Sequence, residues 1–526
     1  MSNTRTVIAT AIAATTILMT TGGSASAAPT TTETVRDGIR LLSERTPVTV
    51  KAAKGKGPTR ADFDGDGRDD VAVFSYAGVA VTYSSTAYRE VLRTEIPGHP
   101  GSELGRSMAV GDFNADGYDD LAIGDYTEPD LRNMGYQAGG VWVVPGGSGG
   151  LRISGAKHFS QSTAGIPGAS ADSDWFGASL AAGDITGDGR DDLAIGIPLK
   201  TIGKQESAGA VVVLKGGAGG VTATGARWIS QSTAGVPGAS RGGDEFGSSV
   251  AIGRIDKNRY QDLVVGAPGK APDGGFGNGT ITQFWGSASG VSLKKVTALS
   301  GGHVVRTRNL DNLSLWSFGA DLAVGDVTGD GYGEVVSGVG AQVGRHSAAG
   351  AVISIPGRST GLSAKGAIVI TQNSAGVAGA AEEGDSFGGS IAIGDVTRDG
   401  RADVLAGIPG ENNGAGAVVL LRGSAKGLTG AKSQTLSQAS AGVPDSPERD
   451  DQFGTAVALL NLDGGGGLDA LVGSPGEVHS GDRPGLGSGS VTRFLGGSSG
   501  LGSATVTSGR FLTHDFRVSY GGYVAR

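Results

Sequence analysis

Short apolar runs alternate with glycine-rich polar turns along almost the whole chain. Representative runs are GAVVVL at 209–214 and GAVVLL at 416–421, each too short for a helix and flanked by turn residues. No apolar pattern of period 3.6 persists, which argues against a helical solenoid. An acidic stretch precedes one run of each unit: ADFDGDGRDDVAVF at 61–74, GDFNADGYDDLAIG at 111–124 and GDITGDGRDDLAIG at 183–196. Further copies are GDVTGDGYGEVVSG at 325–338 and GDVTRDGRADVLAG at 394–407, with weaker ones at 253–266 and 460–473. The seven copies start their acidic pattern at 62, 112, 184, 254, 326, 395 and 461. A fixed period of this kind signals a repeat architecture.

The surroundings repeat too. An aromatic-glycine pair opens each later unit: Phe176-Gly177, Phe246-Gly247, Phe318-Gly319, Phe387-Gly388 and Phe453-Gly454, with Leu104-Gly105 in copy two. Gly-x-Pro often follows the apolar run, as at 196–198, 266–268, 407–409 and 473–475. Then come a Gly-Ala-Val strand, a glycine-rich turn, and a strand such as HFSQS or WISQS. About four short strands per unit, seven times over, predict an all-β, seven-bladed β-propeller of four-stranded antiparallel blades. The first copy lacks its aromatic-glycine strand. The last seven residues, Tyr520 to Arg526, match Phe387 to Ile393 and stop where copy one needs that strand. The C-terminal strand is therefore expected beside residues 70–75, closing the first blade and removing an open sheet edge.

Composition narrows the classes. With 38% hydrophobic residues and 18% charged, a core is within reach. The 97 glycines suit many tight turns. The absence of cysteine excludes disulfides, thiolate metal sites and a Cys nucleophile. A net charge of −8 argues against nucleic acid as a partner. At the N-terminus, Arg5, an apolar run from Val7 to Met19 and Ala25-Ser26-Ala27 read as a secretory signal peptide over residues 1–27. No later run reaches the roughly 18 apolar residues of a membrane span, so a secreted, extracellular protein without a transmembrane anchor is expected. Residues 28–58 read as a linker, partly disordered, with a short helix around Thr32 to Glu44 as one reading; the propeller is expected over 59–526.

The acidic pattern is D-x-[DNT]-x-D-G-x-x-[DE]. Oxygen side chains at alternate loop positions converge on one point, which suits a hard cation such as Ca²⁺, and the glycine allows the sharp turn. Loop one offers Asp62, Asp64, Asp66 and Asp70. Loop two offers Asp112, Asn114, Asp116 and Asp120, and loop three Asp184, Thr186, Asp188 and Asp192. Loop five offers Asp326, Thr328, Asp330 and Glu334, and loop six Asp395, Thr397, Asp399 and Asp403. Backbone carbonyls of Arg68, Tyr118, Arg190, Tyr332 and Arg401 are expected to complete the cages. About five structural Ca²⁺ sites follow. Copy four has Arg254 at the first ligand position and copy seven has Asn461 and Gly465, so both are expected to bind weakly or not at all, with Arg254 standing in for an ion as one reading.

The Phe-Gly strand, the Asp-rich loop and the Gly-x-Pro turn together resemble FG-GAP repeats. Such repeats form the seven-bladed propeller at the head of integrin α subunits and recur in secreted bacterial proteins and in a glycosylphosphatidylinositol-specific phospholipase D. The resemblance covers about residues 59–526. It implies structural Ca²⁺ in the loops between the first two strands of a blade, and an extracellular binding or adhesion role. No leg domains follow the propeller, which argues against an integrin-like heterodimer, and a monomer is expected.

Connectivity places the acidic loops and glycine turns on one rim and the longer, variable loops on the other. These include 125–138, 197–208, 267–278, 339–349 and 408–415, and segments around 164–175 and 236–245. Binding of an extracellular protein or glycan is expected there, with Tyr126, Arg132, Tyr136 and Trp175 as candidates. The alternative is a secreted hydrolase acting on phospholipid or glycan. G-x-S-x-G does occur at 146–150 and 496–500, but the equivalent turn at 216–220 has Ala218 for the serine, and the six histidines show no metal spacing, so no catalytic residue is assigned.

Overall fold

The computed structural model describes residues 28–48, 55, 59–85, 88–99, 103–132, 136–271, 278–310, 312–480, 482, 487–511 and 522–525. They form seven antiparallel sheets, six of four strands and one of five. Blades two to seven span 107–159, 179–229, 250–300, 313–370, 391–436 and 456–508. Within each, consecutive strands pair as neighbours from the axis outwards, as in blade three: Ser179–Gly183, Asp192–Ile197, Ala210–Lys215, Thr222–Ile229. The second and third strands are buried almost throughout because both faces pack against neighbouring blades. One apolar cluster, for example, joins Val141 and Phe159 of blade two to Ile195 and Val212 of blade three.

The aromatic-glycine pairs make these inter-blade joints. Phe176, Phe246, Phe318, Phe387 and Phe453 are fully buried. Burying one such side chain stabilises by roughly 1.5–3 kcal/mol. The residue before each Phe has positive φ (61°, 55°, 59°, 59° and 57° at 175, 245, 317, 386 and 452), so this turn belongs to the repeat and is not local strain at a site. The following glycine is required: at Gly177 (φ 88°) a Cβ would lie 2.7 Å from Val141 and 2.9 Å from the Gly140 carbonyl.

The blades are also tied through the acidic loops. The amide of the eighth loop residue donates to the carbonyl of the first loop residue one blade earlier: Asp119 to Asp62, Asp191 to Asp112, Gln261 to Asp184, Gly333 to Arg254 and Ala402 to Asp326, at 2.8–3.1 Å. Asp69 to Asn461, at 3.0 Å, is the same bond between blades one and seven, so the series runs through the ring closure. The C-terminal strand sits where the sequence places it. Val524 bridges Val73 antiparallel, the Phe74 amide donates to the Tyr523 carbonyl (2.9 Å), and the Ala525 amide donates to Ala72 (3.0 Å). Tyr520 and Gly521 lie outside the described residues.

The first blade departs from expectation at its outer edge. β1 (Thr30–Arg36) and β2 (Ile39–Pro47) form a hairpin in place of a helix, so much of the expected linker is strand. They extend a sheet with β3 (Val71–Ser75), β4 (Gly78–Thr82) and β5 (Tyr88–Glu95), in the order β1-β2-β5-β4-β3. Asp37 and Gly38 both have positive φ (51° and 87°), the two-residue hairpin turn. Ile39 and Leu41 enter the core, and Ser43 and Tyr83 both donate to the buried Glu90 carboxylate.

A buried polar latch holds the hairpin tip on blade two. His158 contacts Glu128 at 2.7 Å and Asp37 at 3.0 Å, its ring stacks on Trp142 at 4.9 Å, and Arg132 pairs with Asp37. Burial opposes the charge on His158, but Glu128 and Asp37 outweigh it and lift the imidazole from 6.5 to about 9. Two outcomes follow. Val524→Asp puts a charge into the closing joint and is expected to cost about 2–4 kcal/mol in urea unfolding; an unchanged midpoint would show that closure does not depend on this strand. Because the folded pKa of His158 lies above the unfolded one, its contribution is complete below about 6.5 and is lost as pH rises through about 9. Melting temperature should fall over that interval, and His158→Gln should flatten the fall; equal slopes would contradict the latch.

Candidate metal centres

Each acidic loop starts where an inner strand leaves the axis, and its second residue anchors it. Phe63, Phe113, Ile185, Val327 and Val396 are fully buried at that position, which leaves the side chains at the first and third loop positions on the other side of the chain. In loop one, carboxylate oxygens of Asp62, Asp64 and Asp66 all lie within 4.8 Å of one another. Asp62 is held by three amides: Gly65 (2.7 Å) and Asp66 (3.1 Å) on Oδ1, and Gly67 (2.8 Å) on Oδ2. The Arg68 amide donates to Asp66 Oδ1 at 2.9 Å.

The same arrangement recurs. Asp112, Asp184, Asp326 and Asp395 each accept from the amides four and five residues on, at 2.7–3.2 Å. The amides of Tyr118, Arg190, Tyr332 and Arg401 donate to Asp116, Asp188, Asp330 and Asp399 at 2.9–3.1 Å. At the third position, the Thr186 hydroxyl lies 3.5 Å from Asp184, Thr328 bonds Asp326 at 3.3 Å, and Thr397 bonds Asp403 at 3.2 Å. All five loops thus share one backbone-amide scaffold around the first and fifth residues, while ligand oxygens gathered within 4.8 Å of one another occur in loop one. An orphaned atom points the same way: Asn114 Oδ1 in loop two is buried without a hydrogen-bond partner. Loop one adds two hydroxyls the pattern did not flag, Ser84 to Asp66 (2.6 Å) and Ser85 to Asp64 (2.8 Å).

The ninth-position acid has a second task. Asp120, Asp192, Asp262, Asp403 and Asp469 each accept the amide of the first glycine in the glycine-rich turn, at 2.9–3.0 Å, and Asp70 accepts from Ser84 at 2.8 Å. The other oxygen of Asp70 and of Asp192 accepts from Phe63 and Thr186, and Glu334 accepts from the Val327 amide. These acids clip the loop to the adjacent turn and confirm that both share one rim. Burial pushes Asp120 and Glu334 up to about 7 and Asp192 to about 6, with neighbouring loop carboxylates adding to the rise. Such crowded negative charge favours a bound cation.

The two degenerate loops keep the ninth acid but answer its charge differently. Arg254 is exposed, and among the described residues its guanidinium pairs with no loop carboxylate, so it does not stand in for an ion. The substitutes lie on the third strand. Gln283 Nε2 donates to Asp262 at 3.3 Å, and Arg493 pairs with Asp469 at 2.7 Å. The register-equivalent residues in blades one, two, three and six are Val81, Val143, Val213 and Leu420, although in blade six Arg422 of the same strand also pairs with Asp403 at 3.6 Å.

On the opposite rim, Tyr126 stacks on Trp175 with ring centroids 4.7 Å apart, and its hydroxyl reaches Glu103. Arg132 is committed to Asp37 and the Ser162 carbonyl, whereas Tyr136 is 62% exposed. Residues missed from sequence complete a patch: Arg106 lies 5.5 Å from the Tyr76 ring and 5.9 Å from Tyr523, and both tyrosines are more than 40% exposed. The Tyr523 ring comes from the C-terminal strand, so no local pattern marks its neighbours. The G-x-S-x-G turn at 146–150 lies on the acidic-loop rim, with the Gly147 amide on the Phe63 carbonyl.

Comparisons with known proteins agree with this geometry. FG-GAP repeat matches residues 104–144, 176–214 and 387–421, and an FG-GAP-like repeat matches 62–123. Integrin alpha-PS5 of Drosophila melanogaster is 29% identical over 167 residues, covering 31% of this chain and 15% of that protein. Mouse integrin alpha-7 is 30% identical over 31% of this chain and 12% of its own length. Mouse integrin alpha-3 is 38% identical over 95 residues, 18% of this chain and 8% of that protein. The matched stretch is thus a small part of each relative. The chain carries FG-GAP repeats in an integrin-α-like seven-bladed propeller.

Asp262→Ala removes the clip in a loop that lacks a complete ligand set. It should cost about 1–3 kcal/mol by stranding the Gly286 amide, equally in Ca²⁺ and in EDTA. A loss seen only with Ca²⁺ would show that loop four binds metal after all.

Proposed function

We propose that this protein is a secreted, calcium-stabilised β-propeller that binds an extracellular protein or glycan through the rim opposite its acidic loops, as an adhesion or binding scaffold. The observation that carries the reading is the division of labour between the rims. One rim concentrates oxygen ligands in five loops, each rigidified by backbone amides. The other presents an aromatic and cationic patch of Tyr76, Arg106, Tyr523, Tyr126 and Trp175, with Tyr136 nearby in the blade-two loop. Exposed Tyr, Trp and Arg on a rigid scaffold are the residues that dominate recognition hot spots. Secretion rests on the pattern in residues 1–27, which lie outside the described residues. Among those described, no helix is long and apolar enough to cross a membrane. The similarity to integrin α subunits supports the extracellular setting.

In this reading Ca²⁺ fills loops one, two, three, five and six, held by Asp62, Asp64, Asp66 and Asp70 and their counterparts. It neutralises carboxylates that the blade junctions force together. The rim that binds the partner is then supported from below by a closed, cation-loaded ring.

Two outcomes test this. At 10 mM Ca²⁺, and with affinities typical of extracellular modules, each filled loop stabilises the fold by about 1–3 kcal/mol, so chelation should lower the melting temperature sharply. An unchanged melting temperature in excess EDTA would overturn the calcium reading. For the binding face, retention of the purified protein on extracellular polymer and cell surfaces should saturate. Tyr76→Ala and Tyr136→Ala should weaken it severalfold without moving the melting temperature. Retention equal to native in both variants would place recognition elsewhere.

A further inference from the structure

The rim opposite the acidic loops carries a second repeated charge position. In blades three and four a lysine follows the Gly-x-Pro turn and is buried: Lys200 and Lys270 are 8% and 5% exposed. Each meets an aspartate just before the next Phe-Gly pair. Lys200 Nζ lies 2.6 Å from Asp174 Oδ2, and Lys270 Nζ lies 2.5 Å from Asp244 Oδ2. Lys270 also donates to the Ala239 carbonyl and to Gln231 Oε1, at 2.5 and 3.3 Å. This pocket is built around a positive charge: a buried carboxylate, a backbone carbonyl and a glutamine carbonyl all face one ammonium.

Blade seven keeps the pocket and inverts the charge. The lysine position is Glu477, the aspartate is Asp451, and each is 1% exposed. The glutamine is Gln438, 2% exposed. Two further acids and an imidazole join them. Ligand atoms of Asp445, Glu477 and His479 lie within 4.8 Å of one another, as do those of Glu448, Asp451 and Glu477. Buried carboxylates crowded without a counter-charge are costly. Two buried atoms of residues in or against this cluster have no hydrogen-bond partner: Gln438 Oε1, the counterpart of the Gln231 oxygen that faces Lys270 in blade four, and His479 Nε2. The Gln438 amide nitrogen meanwhile donates to Glu477 at 2.5 Å. Blade six is an internal contrast. It has Asp385 and Glu411 at the same places, Gln372 Oε1 is likewise without a partner, and Glu382 and His346 act on Asp385, but among the described residues no three ligand atoms there lie within 4.8 Å of one another.

We infer that blade seven binds a divalent transition-metal cation where blades three and four place a lysine ammonium, with Asp445, Glu477 and His479 as its core ligands. Asp451 and Glu448, grouped with the same Glu477, supply further oxygen donors beside it. The mixed carboxylate and imidazole set suits Zn²⁺ or Mn²⁺ better than Ca²⁺, which prefers oxygen alone. The site is separate from the acidic loops and stands whether or not those loops bind calcium.

The test is calorimetric titration of the full chain with Zn²⁺ and, separately, Mn²⁺, in saturating Ca²⁺. Native protein should bind one of these ions at a single extra site. Glu477→Lys rebuilds the blade-four ion pair, so it should fold at least as stably as native and lose that binding. His479→Ala should weaken it by more than the roughly 10–100-fold that loss of an outer hydrogen bond to a ligand costs. No extra binding by native protein would overturn the inference and leave the acids neutralised by protons. Native-like binding by Glu477→Lys, with the variant shown to be folded, would also overturn it.

Discussion

One repeated hydrogen bond, from the eighth residue of an acidic loop to the carbonyl of the first residue one blade back, ties six of the seven blade junctions, and the rest of the rim is arranged around it. It fixes the spacing of neighbouring blades at the rim, and the Asp69–Asn461 pair carries it across the point where the chain's two ends meet. In the five complete loops the amides that turn the chain also hold the first and fifth carboxylates, and in loop one they bring a third, Asp64, beside them. Blade geometry and crowded negative charge therefore share a cause. That crowding is compatible with divalent cation binding, and the amides that hold each first aspartate fix its oxygens within the loop.

The repeat supplies its own controls. Loops four and seven occupy the same place in the ring and keep the buried ninth acid, yet lack the ligand set. In each, a polar or cationic side chain from the third strand, Gln283 or Arg493, answers the acid where most other blades place an aliphatic residue. On the opposite rim the exchange runs the other way, from the Lys270–Asp244 pair to Glu477 beside Asp451. Both cases show the cost of a buried carboxylate being met by a neighbouring donor, an amide at Asp262, a guanidinium at Asp469 and an ammonium at Asp244.

Much of this was legible in the sequence because a repeat repeats its physics. The seven units, the buried Phe-Gly joints, the five loops and the closing strand at Val524 all rest on local patterns that recur in register. What was missed is not periodic. The hairpin at Thr30–Pro47 occurs once, outside the repeat; its signal was Asp37-Gly38 between β-branched and apolar residues, outweighed by the expectation of a linker. The Arg106–Tyr76–Tyr523 patch joins residues more than four hundred positions apart. Arg254 was weighed as a substitute cation from its position in the loop, but its guanidinium is exposed and the compensating contacts come from a strand about 20 residues further on in each blade. Loop position alone does not say where a long side chain points.

The central claim is that this propeller is held by cations in five of its seven loops. Anomalous diffraction from crystals grown in Ca²⁺ tests it most directly. The account predicts peaks inside the loops that begin at Asp62, Asp112, Asp184, Asp326 and Asp395, and none at Arg254 or Asn461. Peaks at all seven loops, or at none, would contradict it.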